Sequence, residues 1–168
     1  MQDNRQYISR TLPDIYPKLW RFCLVLAHNR DEAGDLAQST CERALEKSHQ
    51  FKRGSSLDAW LFTIARNSWL NRVKSNKVRL GTGVVDFDSL EMASSEPDPE
   101  TNIFRSEVLS ICMKLPEKLR VTLFLVYVEG LTYGEAAEVL SIPAGTVMSR
   151  LAAARKILKT SLEASRHD

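Results

Sequence analysis

The segment at residues 131–159, LTYGEAAEVLSIPAGTVMSRLAAARKILK, constrains the fold of this chain more than any other. Thr132, followed three residues later by Glu135, matches a capping box, which marks the start of a helix. A turn then ends at Pro143, and proline suits the first turn of a new helix. In that second helix four apolar residues share one stripe at i, i+4, i+7 and i+11: Val147, Leu151, Ala154 and Leu158. The pattern predicts two short helices joined by a tight turn.

The opposite side of the second helix has the chemistry of a DNA-binding surface. It carries small and polar residues edged with cations: Thr146, Ser149, Arg150, Ala152, Ala153, Arg155 and Lys156. A helix face of this kind fits the major groove of DNA. We therefore predict a helix-turn-helix. The alternative is an αα-hairpin with a solvated basic face.

Charge is distributed in blocks, although the net charge of the 168 residues is only +2. Residues 43–79 contain nine lysines or arginines and two acids, and residues 86–100 contain six acids and no base. This asymmetry indicates a half that binds a polyanion, joined to an acidic spacer.

Several classes of protein are disfavoured by what the sequence contains. The three cysteines, Cys23, Cys41 and Cys112, are far apart and match no metal-binding or disulfide spacing. No apolar run has the length of a membrane span, and the first ten residues do not resemble a signal peptide. We find no nucleophile–base pair or phosphate loop. We therefore expect a soluble cytoplasmic protein without cofactor, metal or enzymatic activity.

Helical periodicity predicts an all-α fold of two small domains. Residues 81–100 combine glycine, proline, serine and acids, which indicates a flexible linker between a domain at 1–80 and a domain at 101–168. The predicted helices span residues 12–27, 32–47, 57–77, 102–114, 117–129, 132–140 and 144–162.

Two stripes run along the predicted helix at 57–77. One is apolar and suits a core: Leu57, Leu61, Ile64, Ala65 and Ser68. The other joins an aromatic, a hydroxyl, two amides and an ammonium: Trp60, Thr63, Asn67, Asn71 and Lys74. These are groups that contact bases and phosphates. The alternative is that Trp60 belongs to the core and that the amides are merely solvated.

The loop before this helix is basic and contains an aromatic residue. It comprises Phe51, Lys52, Arg53, Gly54, Ser55 and Ser56. Cations beside an aromatic suit an unstacked base of single-stranded DNA. The alternative is an ordinary solvated loop.

Three blocks of the chain, in this order, carry a resemblance to a known family. They read LWRFCLVLAHNRDEAGDLAQSTCERALEK, FKRGSSLDAWLFTIARNSWLNRVK and LPEKLRVTLFLVYVEGLTYGEAAEVLSIPAGTVMSRLAAARKIL. The chain resembles bacterial sigma factors of the sigma-70 family, in the extracytoplasmic-function (ECF) group. The resemblance implies region 2 and region 4 modules, which bind core RNA polymerase and recognise the −10 and −35 promoter elements. It also implies contacts with the polymerase β′ coiled coil and β flap, and an anti-sigma factor that holds the protein inactive.

The resemblance assigns roles to individual positions. Core polymerase binding falls on Asp35, Gln38 and Arg43. Contact with −10 DNA falls on Phe51, Lys52, Arg53, Ser55, Asn67 and Asn71, and the polar stripe of the predicted helix adds Trp60 and Lys74. Contact with −35 DNA falls on Thr146, Met148, Ser149, Arg150, Ala153 and Arg155, and the basic face of the second helix adds Lys156.

The chain departs from the family pattern at three positions. The family often has a basic residue where Met148 and Ala153 stand, and often an acid where Ser39 stands. The resemblance therefore implies fewer basic contacts to the −35 element.

Two other functions stay open on the sequence alone. A stand-alone helix-turn-helix regulator would leave Asp35, Gln38 and the basic loop without a role. A sigma-like decoy that only titrates an anti-sigma factor would be expected to lose DNA-facing residues, yet Asn67 and Arg150 are present.

Overall fold

Two helical units account for the residues that the structure, a computed structural model, describes: 3–79 and 112–165. Contacts divide the chain into units at 1–90 and 91–168. The described residues contain no strand, which confirms the predicted all-α class. The predicted linker at 81–100, and the predicted helix at 102–114 as far as residue 111, lie outside the described residues. The proposed domain boundaries therefore stay predictions.

Helix α1 spans Asn4–Ala27 and starts earlier than the predicted position, Leu12. The Asp3 carboxylate caps it by accepting from the Arg5 backbone N–H at 3.1 Å. Ile8 and Leu12 are both buried, so the apolar stripe of the helix extends toward its N-terminus. Pro13 and Pro17 lie inside the helix, each at the cost of one backbone hydrogen bond. Packing of the long apolar face offsets that cost.

Two further helices complete the first unit. Helix α2 spans Arg30–Glu46, and its first turn is capped by Asn29, whose side-chain oxygen accepts from two backbone N–H groups. A short 3₁₀ turn, Ser48–Gln50, and an extended loop lead to α3, Leu57–Arg79. Both helices lie within two residues of the predicted bounds. Helix α1 packs against both α2 and α3. The rings of Phe22 and Phe62 meet in this core with centroids 4.8 Å apart.

The second unit contains a helix whose geometry the sequence did not predict. Helix α4, Glu117–Leu123, continues into a π-helical segment, Phe124–Val128. The Glu129 backbone N–H donates to the Phe124 carbonyl at 3.0 Å, five residues back instead of four. The prediction of a continuous α-helix at 117–129 is therefore wrong, because its second half is π-helical. The apolar run FLVYV has no feature that distinguishes the two helix types.

The helix-turn-helix forms as predicted. Helix α5 spans Tyr133–Leu140, and α6 spans Ala144–Ser165. The capping box is present: the Glu135 N–H donates to the Thr132 hydroxyl at 3.1 Å, and the Thr132 N–H donates to the Glu135 carboxylate at 2.8 Å. Ser141 adopts φ 53°, the left-handed conformation that ends α5.

No helix in the described ranges has an apolar stretch long enough to cross a membrane.

Candidate nucleic-acid and protein interface

The outward side of α2 carries the three residues assigned to polymerase binding. Asp35 and Gln38 are exposed, whereas Leu36, Ala37 and Ala44 on the inner side are fully buried. Arg43 is exposed as well, and its Nη1 donates to Ser68 Oγ on α3 at 3.1 Å. Asp35 and Gln38 thus form a polar surface, and Arg43 ties α2 to α3.

The tip of the basic loop is exposed, whereas Phe51, the residue with which the loop begins, is buried. Lys52, Arg53 and Ser55 are exposed, and the tip turns at Gly54, where φ is 91°. Ser55 closes the turn because its hydroxyl and its backbone N–H both donate to the Lys52 carbonyl, at 2.6 and 3.1 Å. Only a residue without a Cβ adopts this φ readily. The loop is therefore a defined turn that presents two cations.

Phe51 is buried, although the resemblance assigns it a contact with −10 DNA: only 4% of it is exposed. Its ring lies 6.1 Å from that of Tyr7 and 5.3 Å from that of Trp60. A loop aromatic shows no periodicity from which burial could be read, whereas the apolar side of α1 gives it a place to pack. Phe51 thus supports the loop from beneath.

The polar stripe of α3 is most accessible toward its C-terminal end. Asn67, Asn71 and Lys74 are exposed, whereas Trp60 and Thr63 are half-buried. The predicted core stripe is buried except for Ile64, which is half-buried, and Phe62 and Trp69 are buried beside it. These two aromatics were not predicted to be core residues, because they lie next to the predicted core stripe and not on it. The exposed part of the stripe offers two amides and one ammonium to a ligand.

Helix α6 presents the predicted recognition surface. Val147, Leu151 and Ala154 of the predicted inner stripe are fully buried, and Leu158, its last residue, is half-buried. Most of the residues assigned to −35 DNA are exposed: Met148, Ser149, Ala153, Arg155 and Lys156. Thr146 and Arg150 are half-buried. The structure thus brings all seven assigned residues to one helix.

Tyr127 on the π-helical segment contacts this surface and was not predicted as a functional residue. Arg155 Nη1 donates to its hydroxyl at 2.7 Å. Tyr127 is 54% exposed, so the pair lies at the surface of the second unit. No pattern in the sequence signals this contact, since it joins residues 28 positions apart.

The first turns of α1 contact the basic loop, which the sequence did not reveal either. The Asn4 side chain donates to the carbonyls of Ser48 and Phe51, and it accepts from Arg53 Nε. The Arg53 guanidinium lies over the Tyr7 ring, 4.1 Å from its centroid. The Ile8–Leu12 spacing and Asp3, a residue type that favours N-caps, are the local signals that the helix begins this early.

Among the described residues no group of three or more His, Cys, Asp or Glu side chains is arranged to hold a metal ion.

Family models match both units. The model for Sigma-70 region 2 matches residues 14–79, and the model for Sigma-70, region 4 matches residues 105–158. The first match contains α2, the basic loop and α3, and the second contains the helix-turn-helix. Asn4 and Tyr7 precede the first match.

Similar proteins include two curated relatives and one solved structure. The ECF RNA polymerase sigma factor EcfG of Rhodopseudomonas palustris (strain TIE-1) is 36% identical over 146 residues, 87% of this chain and 80% of that protein. The ECF RNA polymerase sigma factor SigW of Bacillus subtilis (strain 168) is 31% identical over 160 residues, 89% of this chain and 86% of that protein. The sigma factor RpoE, in its complex with the anti-sigma factor NepR from Bartonella quintana, superposes with a TM-score of 0.74 at 28% identity, covering 92% of this chain and 96% of that one.

Proposed function

Because this chain belongs to the sigma-70 family of RNA polymerase sigma factors, in its ECF group, we propose that it directs core polymerase to specific promoters. In this proposal the chain has no catalytic activity of its own. It supplies recognition of promoter DNA and acts in the cytoplasm, where the polymerase works. The observation that carries the proposal is that each family-matched unit exposes a polar surface suited to nucleic acid.

The two DNA-binding surfaces suit different forms of DNA. The outer side of α6 has the chemistry of a major-groove reader, so we assign it to the −35 duplex. The cations of the basic loop and the amides of Asn67 and Asn71 suit unpaired bases, so we assign them to the melted −10 element. Phe51 is left out of this assignment because it is buried.

Two protein partners are proposed. Core polymerase is expected to bind the surface formed by Asp35 and Gln38, whose exposed carboxylate and amide have no role in the helical core. An anti-sigma factor is expected to restrain the chain, because the similar RpoE structure was solved with one.

A transcription assay tests the proposal directly. Core polymerase, with and without the purified chain, transcribes a library of templates whose upstream sequence is randomised. We expect new RNA start sites that depend on the chain and share two upstream sequence elements. DNA binding without polymerase, and no chain-dependent start sites, would instead favour a stand-alone helix-turn-helix regulator.

A pair of variants locates the polymerase contact. The double change Asp35→Ala/Gln38→Ala should reduce co-purification with core polymerase and leave helicity unchanged. The control Asp14→Ala/Gln6→Ala removes the same two chemical groups from exposed positions on α1 and should bind like the parent. Equal binding by all three proteins would place the polymerase contact elsewhere.

A further inference from the structure

At the start of α1, the Asn4 side chain forms hydrogen bonds that hold the basic loop. Its Nδ2 donates to the Ser48 carbonyl at 3.1 Å and to the Phe51 carbonyl at 2.9 Å, and its Oδ1 accepts from Arg53 Nε at 3.0 Å. An asparagine amide offers both donors and an acceptor, and here both kinds are used on the loop. The contacts join residues 44 to 49 positions apart, so they fix the loop to α1.

A series of ring contacts leads from α3 to the surface. The half-buried ring of Trp60 contacts Phe51 at 5.3 Å, and Phe51 stacks on Tyr7 at 6.1 Å with an interplanar angle of 15°. The guanidinium of Arg53 covers Tyr7, with Cζ 4.1 Å from the ring centroid. The stack therefore consists of three rings, those of Trp60, Phe51 and Tyr7, and the guanidinium of Arg53. Because Arg53 is exposed, the stack ends at the protein surface.

Contacts with Tyr7 and Asn4 fix the plane of the guanidinium. Tyr7 supports one face, and the hydrogen bond from Nε to Asn4 restricts rotation of the group about its own axis. Unpaired bases stack on arginine guanidinium planes as they do on aromatic rings. A plane that is fixed beforehand loses less conformational entropy when a ligand binds.

We propose that Arg53 is a stacking platform for an unpaired base of the opened promoter strand, and that Asn4 and Tyr7 are positioning residues that hold it. The proposal rests on the function proposed above. It extends the −10 surface to two residues that precede the family match, which begins at residue 14. Stacking needs the planar group, and the charge alone is not sufficient.

The test uses holoenzyme assembled from core polymerase and the full chain. The probe is a pre-melted bubble built on a promoter recovered in the transcription assay, either intact or with one bubble nucleotide at a time made abasic. Arg53→Lys keeps the charge and removes the planar group. It should weaken binding to the intact bubble by about five- to 160-fold, the range that corresponds to one stacked base. On the template that is abasic at the stacked position, parent and variant should bind equally.

A second pair of variants tests the positioning residues. Asn4→Ala should weaken binding to the intact bubble less than Arg53→Lys does. Like Arg53→Lys, it should have no effect on the template that is abasic at the stacked position. Gln6→Ala, an exposed amide on the same helix, should bind like the parent. Circular dichroism and co-purification with core polymerase, unchanged for every variant, show that folding and holoenzyme assembly are intact.

The results separate this proposal from the proposed function. If Arg53→Lys binds every bubble as the parent does, or loses equally on intact and abasic templates, Arg53 is not a stacking platform. If the parent holoenzyme yields no chain-dependent start sites, the proposed function itself fails.

Discussion

Burial sets the reactivity of the cysteine side chains in the first unit. Cys23 is fully buried, and desolvation raises the pKa of its thiol to about 12, with a smaller contribution from Cys41 and an opposing one from Arg72. The thiolate is the reactive form of cysteine. We therefore regard Cys23 as a structural residue, and the half-buried Cys41 as the more reactive of the two.

The raised pKa of Cys23 predicts how stability depends on pH. The ordinary thiol pKa of 9.0 applies to the unfolded chain, so between pH 9 and about 12 the unfolded chain loses a proton that the folded chain keeps. The contribution of Cys23 to the free energy of unfolding is therefore complete below pH 9 and falls as the pH rises. Urea unfolding gives the free energy of unfolding at pH 8 and at pH 10. Its decrease from pH 8 to pH 10 should be smaller for Cys23→Ala than for the parent. Identical losses would contradict the shifted pKa.

The Tyr127 hydroxyl contacts Arg155, which is proposed to bind −35 DNA, so we expect it to influence that binding. Tyr127→Phe removes only the acceptor of the 2.7 Å hydrogen bond from Arg155. A hydrogen bond of this kind contributes roughly 0.5–1.5 kcal/mol, so we expect a loss of about two- to tenfold in −35 duplex binding by the holoenzyme. In an Arg155→Ala background the same change should have no further effect, since contacting residues are not additive. A full additional loss in that background would mean that Tyr127 contacts DNA on its own.

The elements differ in how well the sequence predicts them. Helices α2, α3, α5 and α6 follow from buried stripes with helical period and from caps such as Asn29 and Thr132, which are local signals. The start of α1 did not follow, because the apolar stripe of the predicted helix began no earlier than Leu12, whereas the helix continues back to Asn4 with Ile8 buried. The π-helical segment and the burial of Phe51 depend on tertiary contacts, which periodicity does not report. The surface residues were assigned by resemblance. Most of them are exposed on α2, α3 and α6, and their roles stay predictions.

The amides of helix α3 allow a test that distinguishes recognition of unpaired bases from promoter opening. Asn67→Ala/Asn71→Ala should keep upstream duplex binding and fail to hold an open bubble, as measured by permanganate reactivity. The reason is that these exposed amides are assigned, under the proposed function, to the DNA that is single-stranded in the open complex. A pre-melted template should restore little activity if the amides read unpaired bases, and much if they only assist opening.

The same helix supplies the control. Asn76 is exposed and lies nine residues from Asn67, about 180° around an α-helix. Asn76→Ala should open promoters like the parent. If the double variant does so too, the stripe is ordinary solvated surface.

At the scale of the whole molecule, the sequence predicts two bodies that can act on separate DNA sites. The predicted linker at 81–100, which lies outside the described residues, contains Glu91, Glu96 and Glu100. A glutamate-specific protease should therefore cut there first and release two helical fragments, identified by mass. The low apolar content of the segment is the reason, since it offers little surface to bury. First cleavage within α2 or α4 would argue against a linker at this position.

The π-helical segment also matters to anyone who builds chimaeras from this protein. A π turn accommodates an additional residue, so the residues after Val128 are rotated relative to those of an uninterrupted α-helix of the same length. A donor sequence aligned by residue number alone would misplace Tyr127 with respect to Arg155. Junctions for transplanting the helix-turn-helix therefore belong before Glu117, so that the segment and the helix it supports are moved together.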